Sequence, residues 1–186
     1  MEKRTTVYLV RHAESPYVEG QERSRGLSGK GAEDALKVGS LLRNENIDIF
    51  VSSPYERAIQ TIKDAAGEKE ILLFEDLRER SIGIIPDRLF REAKFKVYQD
   101  FDFAFPEGES SLAAQQRAIQ SFLGILRNYE GQKIAIGTHG DIMTLILNFF
   151  DKSYRYDFWK STSMPDVNKL EFENSKLVTV VRLWEE

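Results

Sequence analysis

Val7-Tyr8-Leu9-Val10-Arg11-His12-Ala13-Glu14-Ser15 is a β-branched and aromatic run that stops abruptly at a cation and an imidazole followed by a small residue. Such a run predicts a short buried strand. In open α/β sheets the crevice beyond the carboxyl ends of the strands gathers backbone N–H groups and loop side chains, so chemistry is expected where Arg11 and His12 emerge. The chain has only 2 histidines, and the second repeats the context of the first. Lys133-Ile134-Ala135-Ile136-Gly137 is another strand-like run, and it delivers Thr138-His139-Gly140-Asp141 just before the helical apolar spacing of Ile142, Leu145, Ile146 and Phe149. Both imidazoles are therefore expected at strand-to-loop junctions.

The intervening segments alternate in type. Ser28 is placed to cap a helix carrying Ala32, Ala35, Leu36, Gly39 and Leu42, and Ile47 to Val51 is a strand candidate. Ser52-Ser53-Pro54-Tyr55-Glu56-Arg57 predicts a helix start with Ser53 as N-cap, Pro54 at the first helical position and Glu56 completing a capping box. Arg57 then lies in the first helical turn, where a cation opposes the helix dipole at a cost of roughly 0.3–1 kcal/mol unless an anion sits between them. Ile71 to Phe74 is a further strand candidate, and residues 82–106, rich in aromatics, lysines and arginines, are expected to be an insertion over one end of the sheet, helical around Arg88 to Gln99. Leu112, Ile119, Phe122, Leu123 and Leu126 predict a long amphipathic helix. Lys169 to Phe172 and Leu177 to Leu183, joined by Glu173-Asn174-Ser175-Lys176, predict a closing hairpin. Strands alternating with helices make the fold class α/β, a three-layer α/β/α sandwich on a mostly parallel sheet.

A chain of 186 residues is expected to form one domain, 1–186, able to bury a core without disulfide or metal. The absence of cysteine excludes disulfides, thiolate catalysis and cysteine-ligated zinc, and agrees with a cytoplasmic location. The net charge of −4, from 26 basic and 30 acidic residues spread along the chain, speaks against a nucleic-acid partner. The apolar run after Met1-Glu2-Lys3-Arg4 breaks at Arg11, too early for a signal peptide. The longest apolar stretch, Ile142 to Phe150, falls well short of the ~20 residues of a membrane helix, so no membrane partner is expected. Oligomeric state cannot be read from these features.

Guanidinium groups, imidazoles and a carboxylate at element ends suit phosphoryl transfer, which needs charge stabilisation more than covalent help. Arg11 and Arg57 can bind nonbridging oxygens through paired hydrogen bonds. A neutral His12, with an ordinary pKa of about 6.5, can take the phosphoryl group and split one hard displacement into two easier ones. His139, if protonated, adds a donor, and the N–H groups of Gly140 and Asp141 at a helix start add more. Glu79 is the candidate proton donor to the leaving alkoxide, which requires its pKa to be raised from about 4.3 by burial or nearby negative charge. Glu14 and Glu109 are the reserves.

On these residues the chain resembles the histidine phosphatase superfamily, the phosphoglycerate mutase-like proteins. Arg11-His12-Ala13 matches that family's R-H-G with Ala for Gly. Ser52-Ser53-Pro54 with Arg57, Ala58 and Thr61 matches its S-S-P-x-x-R-A-x-x-T, and Leu77-Arg78-Glu79 its L-R-E. Gly108-Glu109-Ser110 matches its G-E-S, and His139-Gly140 the second histidine. The resemblance implies His12 as phosphorylated nucleophile, Arg11, Arg57 and His139 as phosphate ligands, Glu79 as general acid, the phosphoglycerate mutase-like fold, and no metal or other cofactor. The departures are Ala13, Ser15 for the commoner Thr, and Val18 where many members place a phosphate-binding Asn, so that one ligand is either missing or supplied from elsewhere, with Arg23 or Arg25 as the candidates. Residues 81–86 lack the G-x-W-E-G of many broad-specificity phosphatases. A metal-independent phosphatase acting on a small phosphorylated metabolite is the expected activity. A mutase-type phosphotransferase and a non-catalytic binder of phosphorylated ligands are the alternatives.

Overall fold

A computed structural model of the chain describes residues 3–86 and 89–186. In chain order the elements are β1 (Arg4–Arg11), α1 (Gly29–Arg43), β2 (Ile49–Ser52), α2 (Glu56–Ala66), β3 (Ile71–Leu73), a 3-10 turn (Glu75–Leu77), α3 (Phe90–Gln99), α4 (Ser111–Asn128), β4 (Lys133–Thr138), α5 (Gly140–Phe150), α6 (Tyr156–Ser161), β5 (Asp166–Glu173) and β6 (Lys176–Arg182). The strands form a 6-stranded sheet in the order β3-β2-β4-β1-β5-β6. Pairing is parallel from β3 through β1, and β5 and β6 extend the sheet antiparallel.

The layers follow from the direction of chain travel. From β1 to β2 to β3 the chain moves toward one edge and then returns to insert β4 between β2 and β1. Right-handed crossovers made in opposite directions put their helices on opposite faces. One face accordingly packs Tyr8, Val10, Phe50 and Ala135 against Val38 and Leu42 of α1 and Ile62 of α2. The other packs Val7, Leu9, Ile134 and Ile136 against α3, α4 and α5 through Val97, Phe122, Ile142 and Ile146. Covered on both sides, β1 has no polar alternation to display, which is why its sequence is a continuous apolar run.

Local details depart from the sequence reading. The buried stripe of α1 runs through Gly31, Asp34, Ala35, Val38 and Leu42, so Ala32 and Leu36 face outward. Gly31 is dictated by contact, because a Cβ there would stand 2.3 Å from the carbonyl oxygen of Glu14. The α2 capping box does not form: the helix begins at Glu56, Tyr55 occupies the cap position, and Ser53 and Pro54 stay in the loop before it. Ser28 and Ser110 do cap α1 and α4, accepting from the N–H groups of Gly31 and Ala113. The insertion contains α3, which starts at Phe90; Arg88, where the sequence pattern placed the helix start, lies outside the described residues. The hairpin strands are longer than their apolar content suggested because β5 pairs with β1 along its whole length, from Asp166 opposite Arg11 to Glu173 opposite Arg4. Asn174 and Ser175 turn the hairpin at φ 48° and 62°, the left-handed backbone of a two-residue turn.

Phe122 joins α4 to the far edge of the core, its ring 5.9 Å from that of Phe150 and 5.7 Å from that of Phe172. Phe122→Ala is expected to cost about 3–5 kcal/mol through the cavity it leaves, measured as a lowered denaturation midpoint at constant slope in urea.

Candidate active site

The parallel register of β1 and β4 sets Arg11 opposite Thr138, so the residue following each strand is an imidazole, His12 beside His139. The ladder runs one step further, the His12 N–H donating to the Thr138 carbonyl at 3.0 Å. The rings meet edge-on with centroids 5.3 Å apart. From the other side of β4, Ser53 N–H donates to the Gly137 carbonyl at 2.8 Å and Ser53 Oγ lies 2.8 Å from His139 Nε2. The hydroxyl expected to cap α2 is shared between the second imidazole and the Tyr55 N–H, at 3.2 Å, just ahead of the helix.

The arginines close around this pair. Arg57, 1% exposed, directs Nη1 to the Glu22 carbonyl and Nη2 to the Glu22 carboxylate, each at 2.5 Å. The carboxylate there takes the place of the anion that the sequence reading expected beside Arg57. Arg11 donates to Thr162 Oγ1 at 2.6 Å, and its guanidinium lies where a Cβ on residue 140 would be, 2.9 Å from the ideal Cβ position. Glycine at 140 is thus a steric requirement for Arg11. Arg25 donates to the carbonyl and hydroxyl of Ser15, both at 2.8 Å. Arg23 is held at the surface by both carboxylate oxygens of Glu75, at 2.7 and 2.9 Å. Nε of Arg11, Arg25 and Arg57 and Nδ1 of His139 are buried without a partner among the described residues. An unmet buried donor costs about 1–3 kcal/mol, so donors of this kind gathered around a cationic cluster favour an anion beside them.

The same surroundings decide the charge of the imidazoles. Burial foremost pushes the His12 pKa down to about 3; the hydrogen bond to the Ala13 carbonyl opposes it, and the guanidinium groups of Arg57, Arg11 and Arg25 add to the lowering. His12 Nδ1 lies 2.7 Å from that carbonyl. A neutral ring donating from Nδ1 leaves the lone pair on Nε2. Burial, His12 and the same arginines hold His139 well below 6.5, so the second imidazole is also neutral while Glu22 occupies Arg57. Its expected proton has to arrive with the negative charge of a ligand.

Glu79 lies within electrostatic reach of Arg11 and Arg57. Its carboxylate faces the start of α5, accepting from the N–H groups of Asp141 at 3.1 Å and Ile142 at 3.3 Å, and from Arg80 N–H at 2.9 Å. The Asp141 amide expected to serve the phosphate therefore donates to the Glu79 carboxylate. Burial, then the charge of Asp141, raises the Glu79 pKa despite those donors and Lys94. The reserve carboxylates are engaged elsewhere: Glu14 accepts from Ser28 Oγ at 2.8 Å, and Glu109 pairs with Arg117 through two contacts of 2.8 Å. Arg117 also donates to the carbonyls of Asp76 at 2.7 Å and Arg78 at 2.9 Å, so Glu109 and α4 brace the loop that presents Glu79. Among the described residues no group of 3 or more His, Cys, Asp or Glu side chains could hold a metal ion.

Several of these partners were not singled out by sequence. Arg117 and Lys94 lie on helical faces that look solvated, and Glu22 sits in a loop without regular pattern. Thr61 did carry a signal, as the last residue of the Ser52 motif. Its hydroxyl accepts from Ala13 N–H at 3.0 Å and donates to the Arg57 carbonyl at 2.7 Å, tying α2 to the turn after β1. In the ligand-free protein, neither imidazole is expected to titrate between about pH 5 and pH 8. Ring 15N shifts followed by NMR would refute this by showing either ring gaining a proton near 6.5.

Comparison with known proteins agrees with this geometry. Phosphoglycerate mutase-like protein 4 of Arabidopsis thaliana is 28% identical over 155 residues, covering 74% of this chain and 67% of that protein. A metal-independent phosphoserine phosphatase of the same plant is 27% identical over 160 residues, covering 76% and 67%. Among solved structures, a phosphoserine phosphatase of Entamoeba histolytica in complex with 3-phosphoglyceric acid shares the fold at a TM-score of 0.79, with 20% identity and 98% of each chain covered. The profile of the histidine phosphatase superfamily (branch 1) matches residues 7–185, and the chain belongs to that superfamily.

Proposed function

We propose that the chain is a phosphomonoesterase that hydrolyses a small phosphorylated metabolite through a phosphohistidine on His12. The observation that carries this reading is the pairing of a neutral imidazole, its Nδ1 held by the Ala13 carbonyl, with a carboxyl group whose surroundings favour the protonated form. The shifts run in the directions that a nucleophile and an acid need. In the first step His12 Nε2 attacks phosphorus, the P–O bond to the leaving group breaks, and Glu79 passes its proton to the departing alkoxide. In the second, the Glu79 carboxylate takes a proton from water as that water attacks the phosphohistidine; the P–N bond breaks and inorganic phosphate leaves. Arg57, Arg11 and Arg25 balance the charge on the phosphoryl oxygens, and His139 joins them as a donor once the dianion raises its proton affinity. Gly140 keeps the space that Arg11 occupies.

Catalysis is supported over mere binding by Glu79, because a pure phosphate receptor has no use for a proton donor. The choice between water and a second alcohol as acceptor separates a phosphatase from a mutase. The names of the relatives make phosphoserine and 3-phosphoglycerate natural first substrates, alongside an aryl phosphate. The purified protein is expected to release inorganic phosphate from at least one member of such a panel in the presence of a chelator, to carry acid-labile, alkali-stable label on His12, and to lose both in His12→Ala. Isomerised phosphoglycerate without phosphate release would make it a mutase; tight phosphate binding without turnover would make it a receptor. Arg57→Ala is expected to lower kcat by an amount equivalent to about 2–4 kcal/mol of transition-state stabilisation, whereas a change confined to KM would assign Arg57 to ground-state binding.

A further inference from the structure

Behind Glu79 lies a buried polar cluster that the reaction scheme does not use. Asp141 is 0% exposed, yet it is ionised and surrounded: Arg80 Nε donates to Oδ2 at 3.1 Å, Tyr98 OH donates to Oδ1 at 2.6 Å, and Lys94 Nζ donates to Oδ2 as well. Arg80, Lys94 and Tyr98 are themselves 4%, 6% and 1% exposed. Arg80 is held in turn by Ser111 Oγ of α4 at 2.8 Å. Lys94 lies under two aromatic faces, 5.4 Å from the Phe90 ring centroid and 5.2 Å from that of Trp159. Burying an anion with cations is costly and is a poor device for stability alone. Here the anion's own backbone N–H donates to Glu79 Oε2.

We propose that Asp141 is the positioning residue for the general acid, fixing the Glu79 carboxyl through its N–H and placing a negative charge beside it, with Lys94 and Tyr98 of the insertion helix as the clamp on Asp141. The inference rests on the reading of Glu79 as proton donor. It also gives residues 90–99 a role beyond covering the sheet, because α3 reaches under the acid with two side chains. Glu79 is faced by Arg11 from the end of β1, Arg57 from α2, Arg80 beside it, Lys94 and Tyr98 from α3 and Asp141 from α5, while Arg117 of α4 reaches its carbonyl. Only Asp141 among these is an anion. Burial and this negative charge raise the proton affinity of Glu79, and Lys94 lowers it.

The signs fix the test. Glu79 donates only while protonated, so the rate falls as pH rises through its pKa. Removing the Asp141 charge in Asp141→Asn lowers that pKa, and removing the Lys94 charge in Lys94→Met raises it. With an alkyl phosphate, whose poor leaving group needs the acid, the alkaline limb of kcat is expected to move by about one pH unit or more, downward in Asp141→Asn and upward in Lys94→Met. With a good aryl leaving group both variants are expected to keep kcat within a few-fold of wild type at the pH optimum, because that bond breaks without proton donation. If Asp141→Asn does not fold by circular dichroism, Lys94→Met, which leaves Asp141 on Arg80, decides alone. Limbs that stay in place, or move in the same direction, overturn the inference while Glu79→Gln still loses turnover of the alkyl ester. Wild-type turnover of that ester in Glu79→Gln would overturn the assignment of Glu79 itself, and the inference with it.

Discussion

The arrangement depends on one pairing, the parallel ladder between β1 and β4. Because Arg11 stands opposite Thr138, the first residue beyond each strand is a histidine, and a shift by one residue would send one of them to the other face of the sheet. Residues more than a hundred positions apart are thereby held side by side by backbone hydrogen bonds, before any side-chain interaction is considered. The reversal of chain direction that inserts β4 beside β1 also opens the crevice into which both strands point their ends, the place where open α/β sheets bind ligands.

Around that pair the protein concentrates positive charge in a dry setting. Two imidazoles remain neutral because burial and guanidinium groups both oppose protonation. The arrangement is unfavourable for the empty fold, and Glu22 relieves part of it by giving Arg57 a carboxylate. On the proposed function, a phosphoryl dianion would offer the same relief with more charge. Gathering unpaired donors in this way is a cost that a bound anion would offset.

The acid side is built on opposite principles. Glu79 is buried next to an anion, which raises its proton affinity above that of a surface carboxylate, while the backbone donors that hold it in place work in the other direction. The bracing by Arg117 and Glu109 explains in physical terms why Gly108-Glu109-Ser110 accompanies Leu77-Arg78-Glu79. The glycine admits a close crossing, since a Cβ at 108 would stand 2.3 Å from the Ile82 carbonyl; the glutamate anchors Arg117, and the serine caps α4. Reactive groups with opposed needs thus sit within one pocket because their supporting shells come from different elements.

The sequence by itself determined the strands flanking both histidines, the α/β alternation, the hairpin and the candidacy of His12, His139, Arg11, Arg57 and Glu79, because each leaves a local mark: an apolar run that ends in a polar residue, a helix start, a motif at fixed spacing. It misplaced the cap of α2, because Ser53 satisfies a capping pattern whether its hydroxyl turns to the helix or to His139, and only the position of β4 decides which. It did not reveal Glu22 on Arg57, Arg117 under the Glu79 loop, or Lys94 and Tyr98 on Asp141, since these contacts join residues whose separations, 35, 38, 47 and 43, follow no local period. The charge states of the imidazoles and of Glu79 were likewise decided only by the tertiary structure. A pKa is set by desolvation and by every charge nearby, and which charges are nearby is a property of the folded chain.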